Sequence, residues 1–235
     1  IFLVVSDKES NMRRLFDEEL ADLDTSFTEM GLLVSETIQH AVQTFLDHDR
    51  SGANEIIEGD KAINQREIAL EKKTFEMIAL YQPVTTDLRE IVTILKAVSV
   101  LERIGDNARN IALSTIHVKG NQRVAEIEQQ IGETGAKVAK MVADVLMYYV
   151  NDDAANADRM SIVASEVSED TKHIRDLAVE SMKQDPELVN ASTDYLVVGG
   201  YLKRTSDYVT DIAEWIIYKR TGKIVELNPG ASSFI

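Results

Sequence analysis

Residues from Glu102 read ERIGDNARNIA, and residues from Lys203 read KRTSDYVTDIA. Set one over the other, Arg103 falls on Arg204, Asp106 on Asp207, and Ile111-Ala112 on Ile212-Ala213. Each stretch follows a proline, Pro83 or Pro186, at a similar distance. Self-similarity of this kind is the mark of a repeated supersecondary unit. Both copies also carry local costs for a helix. Glu102 and Asp106, and likewise Asp207 and Asp211, are like charges at i,i+4, which repel by a few tenths of a kcal/mol. Gly105 adds about 1 kcal/mol relative to alanine. Something in the folded molecule has to offset these costs.

The helical period runs almost unbroken around the two stretches. Leu15, Leu20, Leu23, Phe27, Met30, Val34, Ile38, Ala41 and Phe45 step by three, four or five, as the apolar face of a helix does. HDRSG, from His48 to Gly52, interrupts it. A second helix is predicted from about Ala53 to Tyr81, with Ile56, Ile63, Ile68, Leu70, Phe75 and Ile78 as its apolar positions. Pro83 ends that run, and a third helix spans about Thr85 to His117. Lys119-Gly120-Asn121 is the best interior turn signal. A helix from about Arg123 to Val150 then ends in the acidic turn NDDAANAD, and another runs from about Met160 to Lys183. Asp185-Pro186 supplies an N-cap with proline behind it, opening a last helix from about Glu187 to Arg220 that Thr221-Gly222-Lys223 closes. From Glu226 the tail reads as irregular.

The predicted fold is therefore all-α: two tandem antiparallel three-helix bundles related by internal duplication. The first covers residues 12–120, the second 121–223, and a tail 224–235. Met12 reads as a native start, with the first eleven residues an extension. IFLVV at its head is too short for a signal-peptide core and has no basic segment before it.

Composition agrees with a helical reading and narrows the chemistry. Of 235 residues, 44% are hydrophobic, ample for a packed core, and only 6% are aromatic, sparse for a β-sandwich. The formal charge of −15 disfavours direct binding to a phosphate backbone, so no nucleic acid is expected as a partner. It suits solubility, cations or basic partner surfaces. Without cysteine there is no disulfide, thiolate ligand or thiol nucleophile. No apolar run reaches the roughly 18 residues that cross a bilayer.

The acids fall in stripes. Glu102, Asp106 and Asn110 lie at i, i+4, i+8 beside the seam of Leu101, Ile104, Ala108 and Ile111. In the last helix the matching stripe is Lys203, Asp207 and Asp211, with Glu214 further on. Asp60, Asn64, Glu67 and Glu71 share a face of the second helix, and Glu166, Asp170 and His173 a face of the fifth. Facing helices that offer oxygens at one-turn spacing can hold a hard or borderline cation, and the small residues Gly105 and Ser206 would let an ion or a backbone come near. Arg103, Arg109, Lys203 and Arg204 stand one turn or less away, so ordinary surface ion pairs explain any single pair equally well. Both readings stand on spacing.

LERIGDNARNIA, preceded by QPVTTDLREI and LKAV, resembles the signature of the PhoU family of phosphate-uptake regulators. The likeness runs from RRLFDEELADLD at Arg13 to IAEWIIYKRTGK ending at Lys223. It implies two three-helix bundles, each with an acid-x-x-x-Asp motif that binds metal ions, in some members as multinuclear clusters. Carried over, the first site is Glu102 and Asp106, with Asn110 possible, and the second is Asp207 and Asp211. Asp60, Asn64, Glu67, Glu166 and Asp170 are additional candidate ligands. Iron, manganese, zinc, nickel or magnesium would serve. The chain departs from the pattern at Lys203, where the motif has an acid, and at Thr205-Ser206, where it has Ile-Gly; a protonated lysine cannot ligate. The resemblance further implies a cytoplasmic, dimeric negative regulator acting near the inner membrane surface. It would stand between the phosphate ABC transporter, chiefly its ATPase subunit, and a sensor histidine kinase.

Other functions compete. A ferritin-like di-iron protein needs Glu-x-x-His on two helices, whereas the only acid-x-x-His here is Asp170 to His173. A helical scaffold with merely solvated acids is the third reading. No phosphate loop or nucleophile elbow occurs, and an enzyme is not expected. Gly199-Gly200 reads as close packing or a kink, and Trp215 with Tyr218 as core anchors.

Overall fold

The computed structural model describes the backbone of residues 2–117 and 122–228 and the side chains from residue 11 onward within them. Among the described residues there are helices and no strands. They are α1 (Phe2–Asp47), α2 (Arg50–Tyr81), α3 (Thr85–His117), α4 (Ala125–Val150), the short α5 (Ala154–Asp158), α6 (Met160–Gln184) and α7 (Val189–Thr221), with a 3-10 turn at Pro186–Leu188. The predicted turn at Lys119-Gly120-Asn121 and the tail beyond residue 228 lie outside the described residues.

Local chemistry sets the breaks. The Asp49 carboxylate accepts from Ser51 N and Gly52 N and starts α2. Gln82 takes a left-handed conformation, bonds its N–H to Ile78 O, and with Pro83 behind it stops α2. Asp185 caps the 3-10 turn rather than α7 itself, which begins at Val189, two residues after the expected Glu187. Gly222, at φ 72°, closes α7. The NDDAANAD segment is not only a turn: Asp153 caps a five-residue helix there. The backbone is helical through Met12, so the expected extension and the residues after it form one helix.

Helices α1, α2 and α3 pack together, as do α4, α6 and α7, giving two three-helix bundles. The bundles meet through their inner helices, α3 against α7 and α1 against α4, and one apolar core runs through both. Phe27, Met30, Val34 and Ile38 of α1, Ile94, Leu101 and Ile104 of α3, and Ile212 and Ile216 of α7 are all fully buried in it.

Several expected core positions face outward. Leu15, Ile68 and Phe75 are exposed, and Phe16, Thr74 and Met77 turn inward instead. The reason is angular. Ile63 is buried, and a step of five residues turns the side chain by about 140°, so Ile68 leaves the seam and Phe75, two turns on, follows it. Trp215 and Tyr218 are half-buried rather than core anchors, stacked edge-to-face at 5.5 Å, while Ile216 and Ile217 between them fill the core. Gly199 is buried against α6, but a Cβ on it would meet Ile174 Cγ2 at an ordinary 3.5 Å, so the packing there does not demand a glycine.

The α1–α4 contact depends on a glycine. A Cβ placed on Gly135 would stand 2.5 Å from Val42 Cγ1, with no room to yield on a β-branched side chain. Gly135→Ala is expected to lower stability by about 1–3 kcal/mol. Gly59→Ala, mid-helix in α2 with nothing within 4 Å of the new carbon, is expected to raise it by up to about 1 kcal/mol. Urea unfolding midpoints of the two variants check both signs.

Candidate metal centre

The glycine in ERIGD faces Ile63 of α2. A Cβ on Gly105 would lie 3.0 Å from Ile63 Cδ1 and 3.2 Å from Cγ2. The space expected for an ion is thus taken by an isoleucine, and its effect is to let α2 and α3 close on each other. That closure sets the acid stripe of α2 beside that of α3.

The electrostatics record the approach. Burial pushes the Glu102 carboxyl up to about 7, and Asp106, Glu67 and Asp60 add to it, with Arg103 opposing. Asp60 is also raised, by burial and then by Asp106, against the pull of Arg109, whose Nε is 3.9 Å from Oδ2. Glu67 is raised by burial, by Glu71 and by Asp106. Asn64 Nδ2 donates to Asp60 Oδ2 at 3.4 Å, yet Asp60 Oδ1 and Asn64 Oδ1 are buried with no hydrogen-bond partner. A buried acceptor without a donor costs about 1–3 kcal/mol. Asn110 lies half-buried one turn beyond Asp106.

Oxygen donors without sulfur suit a hard or borderline cation such as magnesium, manganese or iron, and two orphaned oxygens amid excess carboxylate charge fit such an ion in kind. Among the described residues no three Asp, Glu or His side chains stand close enough to clasp an ion as they are. Binding would draw the acids together through side-chain rotation.

The second half is arranged differently. Lys203 Nζ lies 2.6 and 2.7 Å from the two oxygens of Asp207, and Asn228 Nδ2 reaches Oδ1 at 3.1 Å. The lysine therefore supplies the positive charge itself. Burial pushes Asp211 up to about 6, with Glu214 and Asp207 of the same helix adding and Arg103 opposing. Glu214 accepts the Leu227 N–H at 2.7 Å. Glu166 and Asp170 do not join this stripe: Lys137 of α4 pairs with them at 3.5 and 2.6 Å, and His173 is exposed.

Three features escaped sequence reasoning. Lys137 and Asn228 have no local signal, since the acids they meet are 33 and 21 residues away. Spacing makes Arg103 a local ion-pair partner, but its guanidinium lies 6.0 Å over the Tyr208 ring of α7 and bears on acids of both stripes. The two motif helices cross there, tied by a buried bond from Asn107 Nδ2 to Thr205 Oγ1 at 3.2 Å.

Comparison with known proteins places these motifs in context. The PhoU domain matches twice, over residues 27–115 and 131–216. A phosphate-specific transport system accessory protein PhoU homolog of Streptococcus pneumoniae is 34% identical over 217 residues, covering 92% of this chain and all of that protein. The homolog of Caulobacter vibrioides is 31% identical over 208 residues, 88% of this chain and 90% of its own. The crystal structure of the phosphate transport system regulatory protein PhoU from S. pneumoniae superimposes with a TM-score of 0.85 at 32% identity, covering 90% of this chain and 99% of that one. That of PhoU from Pseudomonas aeruginosa gives 0.83 at 31% identity, covering 88% and 100%.

The Glu102 environment makes a prediction for the metal-free protein. The folded state holds this proton more tightly than the ordinary value of 4.5 allows, with its carboxyl at about 7. The stability it contributes is complete below about pH 4.5 and is lost as pH rises through about 7. Glu102→Gln is expected to flatten that fall and to exceed wild-type stability at about pH 8, read by urea denaturation in chelator.

Proposed function

The chain belongs to the PhoU family, and from that membership we propose that it is a cation-binding negative regulator of phosphate uptake and phosphate-starvation signalling. It acts in the cytoplasm, at the inner face of the membrane. The observation that carries this reading is the full-length match to phosphate-transport accessory proteins along both repeats. The partners it fits are the ATPase subunit of the phosphate ABC transporter and a sensor histidine kinase, with the working unit a homodimer. No helix among the described residues is long and apolar enough to cross a membrane, which is compatible with a peripheral role. A net charge of −15 favours partners that present basic surfaces.

The cation belongs to the first half. Asp60, Glu67, Glu102 and Asp106 would hold it, with Asn64 and Asn110 as neutral donors. Its chemistry here is electrostatic: it would cancel the mutual repulsion of the α2 and α3 acids and satisfy the orphaned oxygens of Asp60 and Asn64. The Lys203–Asp207 and Lys137–Asp170 pairs favour a second reading for the other half, a scaffold that needs no ion. The same Lys137 pair weighs against a ferritin-like di-iron centre at Asp170 and His173.

Elemental analysis of protein purified without chelator is expected to find iron, manganese, zinc, nickel or magnesium in wild type and in Asp207→Ala. Asp106→Ala is expected to lose most of it. Equal and negligible metal in all three would remove the cation from the reading. Affinity capture from cells grown with high and with low phosphate is expected to recover the transporter ATPase or the kinase; recovery of neither in both conditions would contradict the regulatory role.

A further inference from the structure

The interface between the two bundles is built from α1 and α3 on one side and α4 and α7 on the other. Each of these helices sends one polar side chain into a cluster at the same end. Tyr149 of α4, 2% exposed, donates its hydroxyl to Asp24 of α1 and packs edge-to-face on Phe27 with ring centroids 4.7 Å apart. Lys219 of α7 holds its ammonium 4.2 Å from the centre of the Tyr149 ring and 2.6 Å from Glu90 Oε1 of α3. The lysine and glutamate side chains are 14% and 19% exposed. Arg89 Nε donates to Lys219 O at 3.3 Å, and Arg220 pairs with Asp152 at 2.9 Å, so the α7 terminus is fixed around the lysine.

Three of these bonds cross between the bundles, Asp24–Tyr149, Glu90–Lys219 and Arg89–Lys219 O, and the lysine–ring contact joins the first two. Such a network is not the most stable way to fill the space, since well-packed apolar residues often do as well or better. What it supplies is one allowed geometry, because each partner lost leaves the others desolvated and unpaired. Burial already holds the Asp24 carboxyl above its usual range, opposed by the tyrosine bond and by Lys219 and reinforced by Glu90. At the far end of α1 a separate clamp gathers on Glu128 Oε1. Tyr195 and Arg123 each approach it at 3.0 Å and His48 at 3.3 Å.

We propose that Asp24, Glu90, Tyr149 and Lys219 form a latch that fixes the angle between the two bundles, and that breaking it lets the halves move about the Glu128 clamp. The latch is independent of any bound cation. It gives a two-repeat protein a discrete element whose state a partner touching both halves can bias.

The absence of cysteine allows clean spin labelling of the whole chain at Glu58→Cys in α2 and Glu169→Cys in α6, both exposed. In wild type the inter-label distance distribution is expected to be single and narrow. Tyr149→Phe, which keeps the ring, and Lys219→Met, which keeps the stem, are each expected to broaden it roughly twofold. Asp24→Asn keeps an acceptor for the tyrosine and is expected to stay narrow. Tyr81→Phe removes a comparable bond, to Glu19 at 3.1 Å, inside the first bundle, and is expected to leave the distribution unchanged. Lys219→Met decides the matter if Tyr149→Phe does not fold. Distributions for Tyr149→Phe and Lys219→Met that superimpose on those of wild type and Tyr81→Phe overturn the proposal.

Discussion

The contact between Gly105 and Ile63 is the constraint from which the candidate site follows. A glycine in mid-helix costs stability, but here it lets an isoleucine of α2 sit against the α3 backbone at 3.0 Å from where a Cβ would be. Once the helices are that close, Asp60, Glu67, Glu102 and Asp106 share a strip of surface in which no acid is fully neutralised. Arg103 and Arg109 moderate the charge without cancelling it. Burial first, and mutual repulsion second, hold the carboxyls of Glu102, Asp60 and Glu67 above their usual range, a cost that a bound cation would offset.

The two halves solve the same geometric problem in different ways. Where the first copy has Glu102 and Gly105, the second has Lys203 and Ser206. Ser206 is buried and turns its hydroxyl onto Lys203 O at 2.7 Å, and the lysine ammonium covers both oxygens of Asp207. The two copies share the helix and the aspartate, and the second carries its own counter-ion. The crossing of the motif helices, through Asn107–Thr205 and Arg103–Tyr208, leaves the copies in electrical contact.

Much of this was legible in the sequence, and the exceptions have physical causes. Six long helices, the stop of α2 before Pro83, the stop at Gly222 and the duplication all follow from periodicity and punctuation, because they depend on neighbours in the chain, whereas α2 starts at Arg50 on the Asp49 cap, earlier than the expected Ala53. Leu15, Ile68 and Phe75 fit the apolar pattern yet face outward, because hydrophobicity does not say which seam of a long helix is covered. The acid stripes of α2 and α3 were found from spacing, whereas the role of Gly105 was not, since spacing says nothing of what faces a missing side chain. Lys137 and Asn228 answer acids across the fold and leave no local trace.

The central claim is that repulsion among the α2 and α3 acids is real and available to a cation. It is tested most directly by thermal unfolding with increasing manganese, comparing wild type with Glu102→Gln/Asp106→Asn. The account predicts that the variant melts higher without metal and gains little on titration, while wild type rises until the difference closes or reverses. An equal manganese-induced shift in both proteins, with no difference at zero metal, would contradict it.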